Sequence, residues 1–437
     1  MSKDIDHADV RLNFNPEHPQ QRFRDAGLQA AFASSSDLLP SAVSWPENSP
    51  TAKPLNPAPA PTDDLSKFLH YDAVVVTWTA AEAASLAALF TPGHPVSSWY
   101  EYQHDIEAYI PLVTGSKAPF NSHDREDVRY YHSLGLYMPC LIGKAKVLLF
   151  KSGLHLDYDG PQTPVRKLML ELANTIQPSV FITTGTGGGI GTDVKLGDVV
   201  IADLTQFYCT GQFENEPWKS SSYKPSPLPS GVLDVITSKL TAVNAARIPN
   251  ARKEPKYWTG SGATVVTTDT FAFDDSTNHD GLQHRGLCCD MGDAMVGNAL
   301  QGVSGMKWYS IRNASDPQIA NPNNNFEAAS RESTEIYSRY GGLTTAASVI
   351  ATWAVIEATF NKASNATNAA TSAKTKPSAK PKAPAKPKAP ANPKAPAKPR
   401  APAKSKARPK RRAPTKSKAR PKRRASTKAK AKRRTHR

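Results

Sequence analysis

The chain has 437 residues, room for one large domain or two ordinary ones, and a formal net charge of +17. Its four cysteines (Cys140, Cys209, Cys288, Cys289) show no C-x-x-C spacing and no clustered histidines, which argues against a disulfide framework and against a metal site, and no cofactor is expected. The opening MSKDIDHADVRLNF has no apolar signal core, and no run reaches the roughly 18 apolar residues of a bilayer span, so no membrane partner is expected and the protein reads as intracellular.

Taken in chain order, residues 1–66 are polar and then Pro-rich from Pro40 to Pro61, and read as a flexible arm. A folded domain is expected over 67–362. It opens with the β-branched run Ala73–Thr77 (AVVVT), a buried strand, and a helix over Ala80–Phe90 that Pro92 and Gly93 end. The stretch from about 91 to 136 is aromatic, polar and irregular, long for a loop, and reads as an insertion. Lys146–Phe150 is the next strand. Thr163 then caps a helix with Pro164 at its first position. Val165, Leu168, Met169, Leu172 and Ile176 lie on one face of that helix, and Pro178 stops it. Further strands are expected at Val180–Thr184, Asp198–Ala202, Ala263–Val266 and Trp308–Arg312, with helices over Asp290–Gln301 and Asn325–Phe360. Cys288 and Cys289 read as small core residues on a strand. Strands alternating with helices predict an α/β fold, a three-layer αβα arrangement around a central mixed sheet.

The segment Phe181–Ala202, FITTGTGGGIGTDVKLGDVVIA, carries most information. Five glycines after a buried strand let backbone N–H groups approach an anionic or hydroxyl-rich ligand with no Cβ in the way. A dinucleotide fingerprint does not fit, because a strand follows where a helix should open and no acidic residue closes a second strand about 20 residues on. The P-loop pattern is absent as well. What the segment resembles is the nucleoside phosphorylase and nucleosidase superfamily, in which a Gly-Thr-x-Gly-Gly loop is followed by Leu-Gly-Asp-Val-Val-Ile.

Four more segments resemble that family and keep its chain order, and the resemblance spans roughly Tyr71 to Phe360. SIRNASDPQ (Ser310–Gln318) is similar to the family's Val-Arg-x-x-Ser-Asp and implies that Asp316 protonates the leaving purine, supported by Ser315. A carboxylic acid does this only if burial keeps its pKa high. Ser-Asp-Pro by itself is also an ordinary turn. VVVTWTAAEAASL (Val74–Leu86) resembles the first strand and turn, which implies that Glu82 activates water, with Thr186 and Arg312 helping to hold it. The residue read alone is equally a glutamate complementing a helix dipole. VTTDTFAF (Val266–Phe273) is similar to the segment whose Phe stacks on the base, which implies that role for Phe271, with Asp269 beside it. CCDMGDAMVGNAL (Cys288–Leu300) resembles the Glu-Met-Glu-Ala helix start, where Met packs on ribose and the second Glu binds its hydroxyls. Met291 is in place, but Gly292 stands at the glutamate position, so Asp293 is the candidate substitute. Gly187 and Gly188 complete the substrate-binding set.

The resemblance implies a purine nucleosidase of the methylthioadenosine and adenosylhomocysteine nucleosidase type, acting on an adenine nucleoside or related compound as a homo-oligomer. The family's phosphorylases place an arginine where Thr183 stands here, which favours hydrolysis, since a phosphate dianion needs its guanidinium clamp. A phosphorylase borrowing Arg125 or Arg129 is one alternative; an impaired oligomeric scaffold is another. His155, where the family has glycine, receives no role.

Residues 363–437 read as a disordered Lys/Arg/Pro/Ala-rich tail. From 366 to 437 there are 27 Lys and Arg and no Asp or Glu, which leaves 28 basic and 38 acidic residues in the rest. Lys380–Ala403 is four Pro-rich hexapeptides, and KSKARPKRRA occurs at Lys404 and again at Lys416. With no large apolar residue nothing offsets the entropy of ordering it. In composition it is similar to the C-terminal domains of linker histones and bacterial histone-like proteins, which implies sequence-independent nucleic-acid binding through residues 374–437. Its KRR clusters would direct a eukaryotic protein to the nucleus; in a bacterium the expectation is cytoplasm and nucleoid.

Overall fold

The computed structural model describes residues 49–113, 134–156, 162–240, 251–252 and 255–361. The chain divides into two units, Met1–Lys376 and Pro377–Arg437, and all described residues belong to the first. The basic tail, most of the N-terminal arm, Arg125 and Arg129 lie outside the described residues.

Among the described residues thirteen strands join in one mixed sheet. They are β1 (Thr51–Ala52), β2 (Ala73–Thr77), β3 (Tyr100–Tyr102), β4 (Gly135–Ile142), β5 (Ala145–Ser152), β6 (Val180–Gly189), β7 (Val199–Ile201), β8 (Leu204–Tyr208), β9 (Ser222–Tyr223), β10 (Tyr257–Trp258), β11 (Thr264–Thr268), β12 (Cys288–Asp290) and β13 (Lys307–Asp316). The helices are α1 (Ala80–Phe90), α2 (Ile106–Val113), α3 (Pro164–Ile176), α4 (Val232–Leu240), α5 (Asp293–Leu300) and α6 (Phe326–Phe360). Strands β5, β2, β6 and β13 lie side by side and parallel, with Val74 opposite Phe181 and Ile182 opposite Tyr309.

Side chains alternate across a pleated strand, so each central strand feeds two cores. Ala73, Val75, Val180, Ile182 and Ile311 pack beneath α1 and α6, whereas Val74, Val76 and Phe181 pack against α3 and α5. The result is the three-layer αβα fold with a central mixed sheet that the alternation of elements predicts. Parallel strands covered on both faces read as continuous apolar runs, as AVVVT does. Helix α3 buries the face expected of it, Val165, Leu168, Met169, Leu172 and Ile176 all being 0 % exposed. Helix α6 is long and apolar enough to cross a membrane by length and composition, yet 78 % of its apolar window is buried, as in a core helix.

Several boundaries differ from the sequence expectations. Residues 49–66 are not a loose arm: β1 pairs antiparallel with β4, and Leu65 is fully buried. The irregular stretch after residue 91 contains β3 and α2, because Tyr102 and Tyr109 are core residues whose hydroxyls both reach Glu171 on α3. Thr163 opens α3 from the left-handed region at φ +46° and makes no side-chain capping bond, so Pro164 alone marks that start. The glycine run is strand rather than turn, since β6 continues through Gly189. Cys288 and Cys289 lie on β12 as expected, and this strand takes Asp290 out of the helix that follows.

Candidate active site

Sheet register brings the site together. Arg312 on β13 lies opposite Gly185 on β6, and Asp316 opposite Gly188. A register shift between Ala314 and Asp316 makes Ser315 an extra residue at the strand end. Such bulges re-aim side chains at sheet edges and active sites, and here Ser315 and Asp316 both line one cleft. The cleft opens to solvent. Glu82, Thr186, Gly187, Gly188, Phe271, Met291, Arg312, Ser315 and Asp316 all contribute to its wall.

Glu82 sits at the third position of α1 in a reciprocal capping box with Thr79. Its Oε2 accepts from Thr77 Oγ1 at 2.7 Å and from the amides of Trp78 and Thr79, both at 2.9 Å. Its Oε1 accepts from Thr186 N at 2.6 Å and Thr186 Oγ1 at 2.7 Å, with Arg312 Nη1 3.7 Å away. Burial favours the neutral acid, but Arg312 and these donors outweigh it and hold the carboxyl below its ordinary pKa. Glu82 is therefore both a helix cap and an ionised cleft carboxylate. A Cβ at Gly185 would overlap it, which explains that glycine better than a phosphate cradle does.

Arg312 is 2 % exposed and enclosed by acids. It grips Asp293 through Nε at 2.8 Å and Nη2 at 2.5 Å, reaches Asp290 Oδ2 at 3.0 Å, and donates to Thr186 O at 3.2 Å. Its guanidinium carbon lies 4.8 Å from the centre of the Trp78 ring. Burial opposes the charge on Arg312, yet the surrounding carboxylates keep it firmly protonated. One cation cannot neutralise three acids equally. Burial raises the pKa of both aspartates, but the Arg312 contact brings Asp293 below its ordinary value, while burial and the Asp293 charge push Asp290 up.

Asp316 Oδ1 lies 3.0 Å from Ser315 Oγ, and its Oδ2 accepts from Ser333 Oγ at 2.9 Å. No cation contacts it among the described residues. Burial raises its pKa to about 6 against the lowering effect of the two serines. Gly188 gives it room, since a Cβ there would stand 3.3 Å from Oδ2. Asp316 can thus carry a proton near neutrality.

Two expected residues are not brought to the cleft. Asp293 is 0 % exposed and absent from the cleft wall; its carboxylate is turned inward onto Arg312 and Ser310 Oγ. Asp269 accepts from the amides of Thr210, Gly211 and Phe213, and so braces that loop. Others enter that sequence reasoning did not single out. Trp78, Thr268 and Tyr337 line the cleft, Ser333 supports Asp316 from behind, and His155, given no role from the sequence, lines the cleft as well. The capping box Thr79-x-x-Glu82 was a readable signal for the rigidity of Glu82. Burial holds the His155 imidazole down to about 4 and the neighbouring Lys151 ammonium down to about 7, with Glu82 pulling both the other way.

The chain belongs to the phosphorylase superfamily, whose sequence profile matches residues 102–340. Strand β2 and Glu82 precede the matched segment. Among solved structures, the 5′-methylthioadenosine/S-adenosylhomocysteine nucleosidase of Helicobacter pylori is similar at 11 % identity and TM-score 0.41, covering 66 % of this chain and 99 % of that one. Futalosine hydrolase of Helicobacter pylori is similar at 12 % identity and TM-score 0.39, covering 64 % and 97 %. The S-adenosylhomocysteine nucleosidase of Streptococcus pyogenes follows at 15 % identity and TM-score 0.40, covering 65 % and 96 %. A search among curated proteins gives no match.

Proposed function

We propose that the protein is a purine nucleosidase, hydrolysing the N-glycosidic bond of an adenine nucleoside or a related compound. The observation that carries this reading is Asp316: a buried carboxyl with a pKa of about 6, aimed into a cleft whose other acids are tied to donors. In the reaction the C1′–N bond breaks as Asp316 transfers its proton to the departing base, and the sugar becomes cationic. Water's oxygen bonds to C1′ and its surplus proton passes to solvent, which restores the proton on Asp316, while Glu82, held ionised and with its acceptor sites filled, stabilises the sugar cation by its charge. Its low proton affinity suits charge stabilisation better than strong base catalysis. Phe271 supplies an aromatic surface for the base.

Hydrolysis is favoured over phosphorolysis by the state of Arg312. It is the one arginine in the described cleft wall, and its donors are committed to Asp293, Asp290 and Thr186. A phosphate dianion would meet no free guanidinium there. The test is base release by the full-length protein from adenosine, methylthioadenosine, adenosylhomocysteine, inosine and AMP, with and without phosphate. Release independent of phosphate and lost in Asp316→Asn supports the nucleosidase. Strict phosphate dependence makes the protein a phosphorylase, and no release from any of them leaves the scaffold.

The tail supports a second part of the proposal, a tether to nucleic acid. A polymer with 27 cationic side chains and no acid binds phosphates by releasing counterions, so log K should fall by about 0.9 per contact against log salt. Mobility shifts of duplex DNA at 50 and 200 mM salt, with full-length protein and protein ending at residue 362, test it. Equal binding by both proteins sinks the tether.

A further inference from the structure

A ribose brings two neighbouring hydroxyls, at C2′ and C3′, into any cleft that encloses it, and each buried O–H needs an acceptor. A carboxylate offers about four lone-pair sites, so its capacity can be counted. Glu82 accepts five hydrogen bonds from Thr77, Trp78, Thr79 and Thr186. Asp290 accepts from Thr267 Oγ1 at 2.6 Å and from the amides of Gly292 and Asp293 at 3.1 and 2.8 Å, and meets Arg312 at 3.0 Å. Asp316 already meets two serines and is the proton donor. Among the described carboxylates of the cleft, Glu82 and Asp290 have their acceptor sites filled, and Asp316, which keeps sites open, is placed at the base and not at the sugar by the nucleosidase reading.

The position that would supply an acceptor for the diol is closed. Gly292 ends the turn between β12 and α5 and lines the cleft. A Cβ on it would stand 2.8 Å from Trp78 Cζ2 and 3.1 Å from Cε2 and Cη2. The indole therefore occupies the volume an acidic side chain at 292 would need. The ring is 2 % exposed and lies beneath the Arg312 guanidinium, so it is fixed in place. Met291 lines the same wall. An apolar wall takes a methylene better than a hydroxyl that it cannot satisfy.

We propose that this cleft selects 2′-deoxynucleosides, with the Trp78 indole and Gly292 forming an apolar subsite for C2′ in place of an acceptor for the ribose diol. The inference rests on the nucleosidase reading and names the sugar class of its substrate. Because an apolar pocket rejects an added hydroxyl only modestly, the preference should be about ten- to a hundredfold.

The experiment is kcat/KM of the full-length protein for 2′-deoxyadenosine against adenosine, and for 2′-deoxyinosine against inosine. A deoxynucleoside preference of tenfold or more supports the subsite; equal rates or a ribonucleoside preference overturn it. If neither sugar series releases base, the nucleosidase reading itself fails, and equilibrium binding of 2′-deoxyadenosine and adenosine to Asp316→Asn decides the sugar question separately. Tenfold tighter deoxynucleoside binding upholds it, and equal, weaker or absent binding overturns it. The double variant Trp78→Leu/Gly292→Glu reopens the volume and restores an acceptor. If its melting transition stays cooperative, the ratio should move at least tenfold towards ribonucleosides, and an unchanged ratio overturns the assignment. If it does not fold, the wild-type ratio is the test.

Discussion

Asp293 and Arg312 form a two-point ion pair, Nε to Oδ2 at 2.8 Å and Nη2 to Oδ1 at 2.5 Å, between the first residue of α5 and the middle of β13. The pair fixes where the guanidinium stands relative to Glu82 and Trp78, and so sets the floor of the cleft. Asp293→Asn keeps the shape and removes the charge. Breaking one side of a buried pair costs about 3–5 kcal/mol. Urea denaturation at pH 7 should register a loss of that order, with the slope unchanged.

Asp316 makes opposite demands on stability and activity. Its folded pKa of about 6 lies above the ordinary 3.8, so the native state holds a proton that the unfolded chain has released between those values. The stabilisation is complete below the unfolded value and is lost as pH rises through about 6. Asp316→Asn mimics the neutral acid, and its thermal midpoint should exceed that of the wild type above pH 6, by up to about 3 kcal/mol in stability, with no gain at pH 4.

The same value sets an activity profile. Above pH 6 the protonated fraction of Asp316 falls tenfold per unit, and the rate of base release in the bound complex should fall with it. Asp316→Asn should lose about 10²- to 10⁴-fold in kcat while folding normally. A pH series of kcat for both proteins checks this.

Glu82→Gln turns an acceptor into a donor in a nest of donors. Wherever the amide NH2 points, it faces either the Thr186 N–H or those of Trp78 and Thr79. The expected cost is about 2–4 kcal/mol at pH 7. The depressed pKa of Glu82 contributes stability that is present above the unfolded carboxyl value and lost as pH falls through the folded one, so the gap between the two proteins should narrow in acid. Chemical denaturation at pH 7 and at pH 3.5 measures the difference.

Gly185→Ala tests why that position is glycine. The new methyl would overlap the Glu82 carboxylate, and overpacking of this kind costs about 1–3 kcal/mol. Gly302→Ala, where a Cβ meets nothing within 4 Å, is the matched control. Base release should drop in the first variant and stay unchanged in the second.

Much of this architecture is readable before any coordinates. Ala73–Thr77 and the apolar face of α3 declare themselves because burial on both faces, or on one helical stripe, dictates residue type locally. Glu82, Arg312 and Asp316 are legible through short motifs. Ser333 and Tyr337 are not, because a polar residue on a long helix looks the same whether it faces solvent or a carboxylate 17 residues away in sequence. Asp293 misleads for a related reason: its position next to Gly292 suggests a cleft ligand, whereas Arg312, brought close by the sheet, turns it inward. The continuation of β6 through Gly189 depends on β12 pairing with Gly188 and Gly189, a long-range contact that overrides glycine's weak strand preference.

Helix α6 has a consequence for insertion and deletion. Its 35 residues are one uninterrupted element, with Ser333 and Tyr337 at the cleft end and Val349, Trp353 and Ile356 in the core under the sheet. From Ser333 to Ile356 is about 35 Å of helix at 1.5 Å per residue. Removing a single residue between Tyr337 and Gly341 would rotate everything before it by about 100°. The buried half would keep its packing, while the Ser333 hydroxyl swung away from Asp316. Residue count along this rod, as much as residue identity, is what keeps the Ser333 contact to Asp316 in phase with the hydrophobic core.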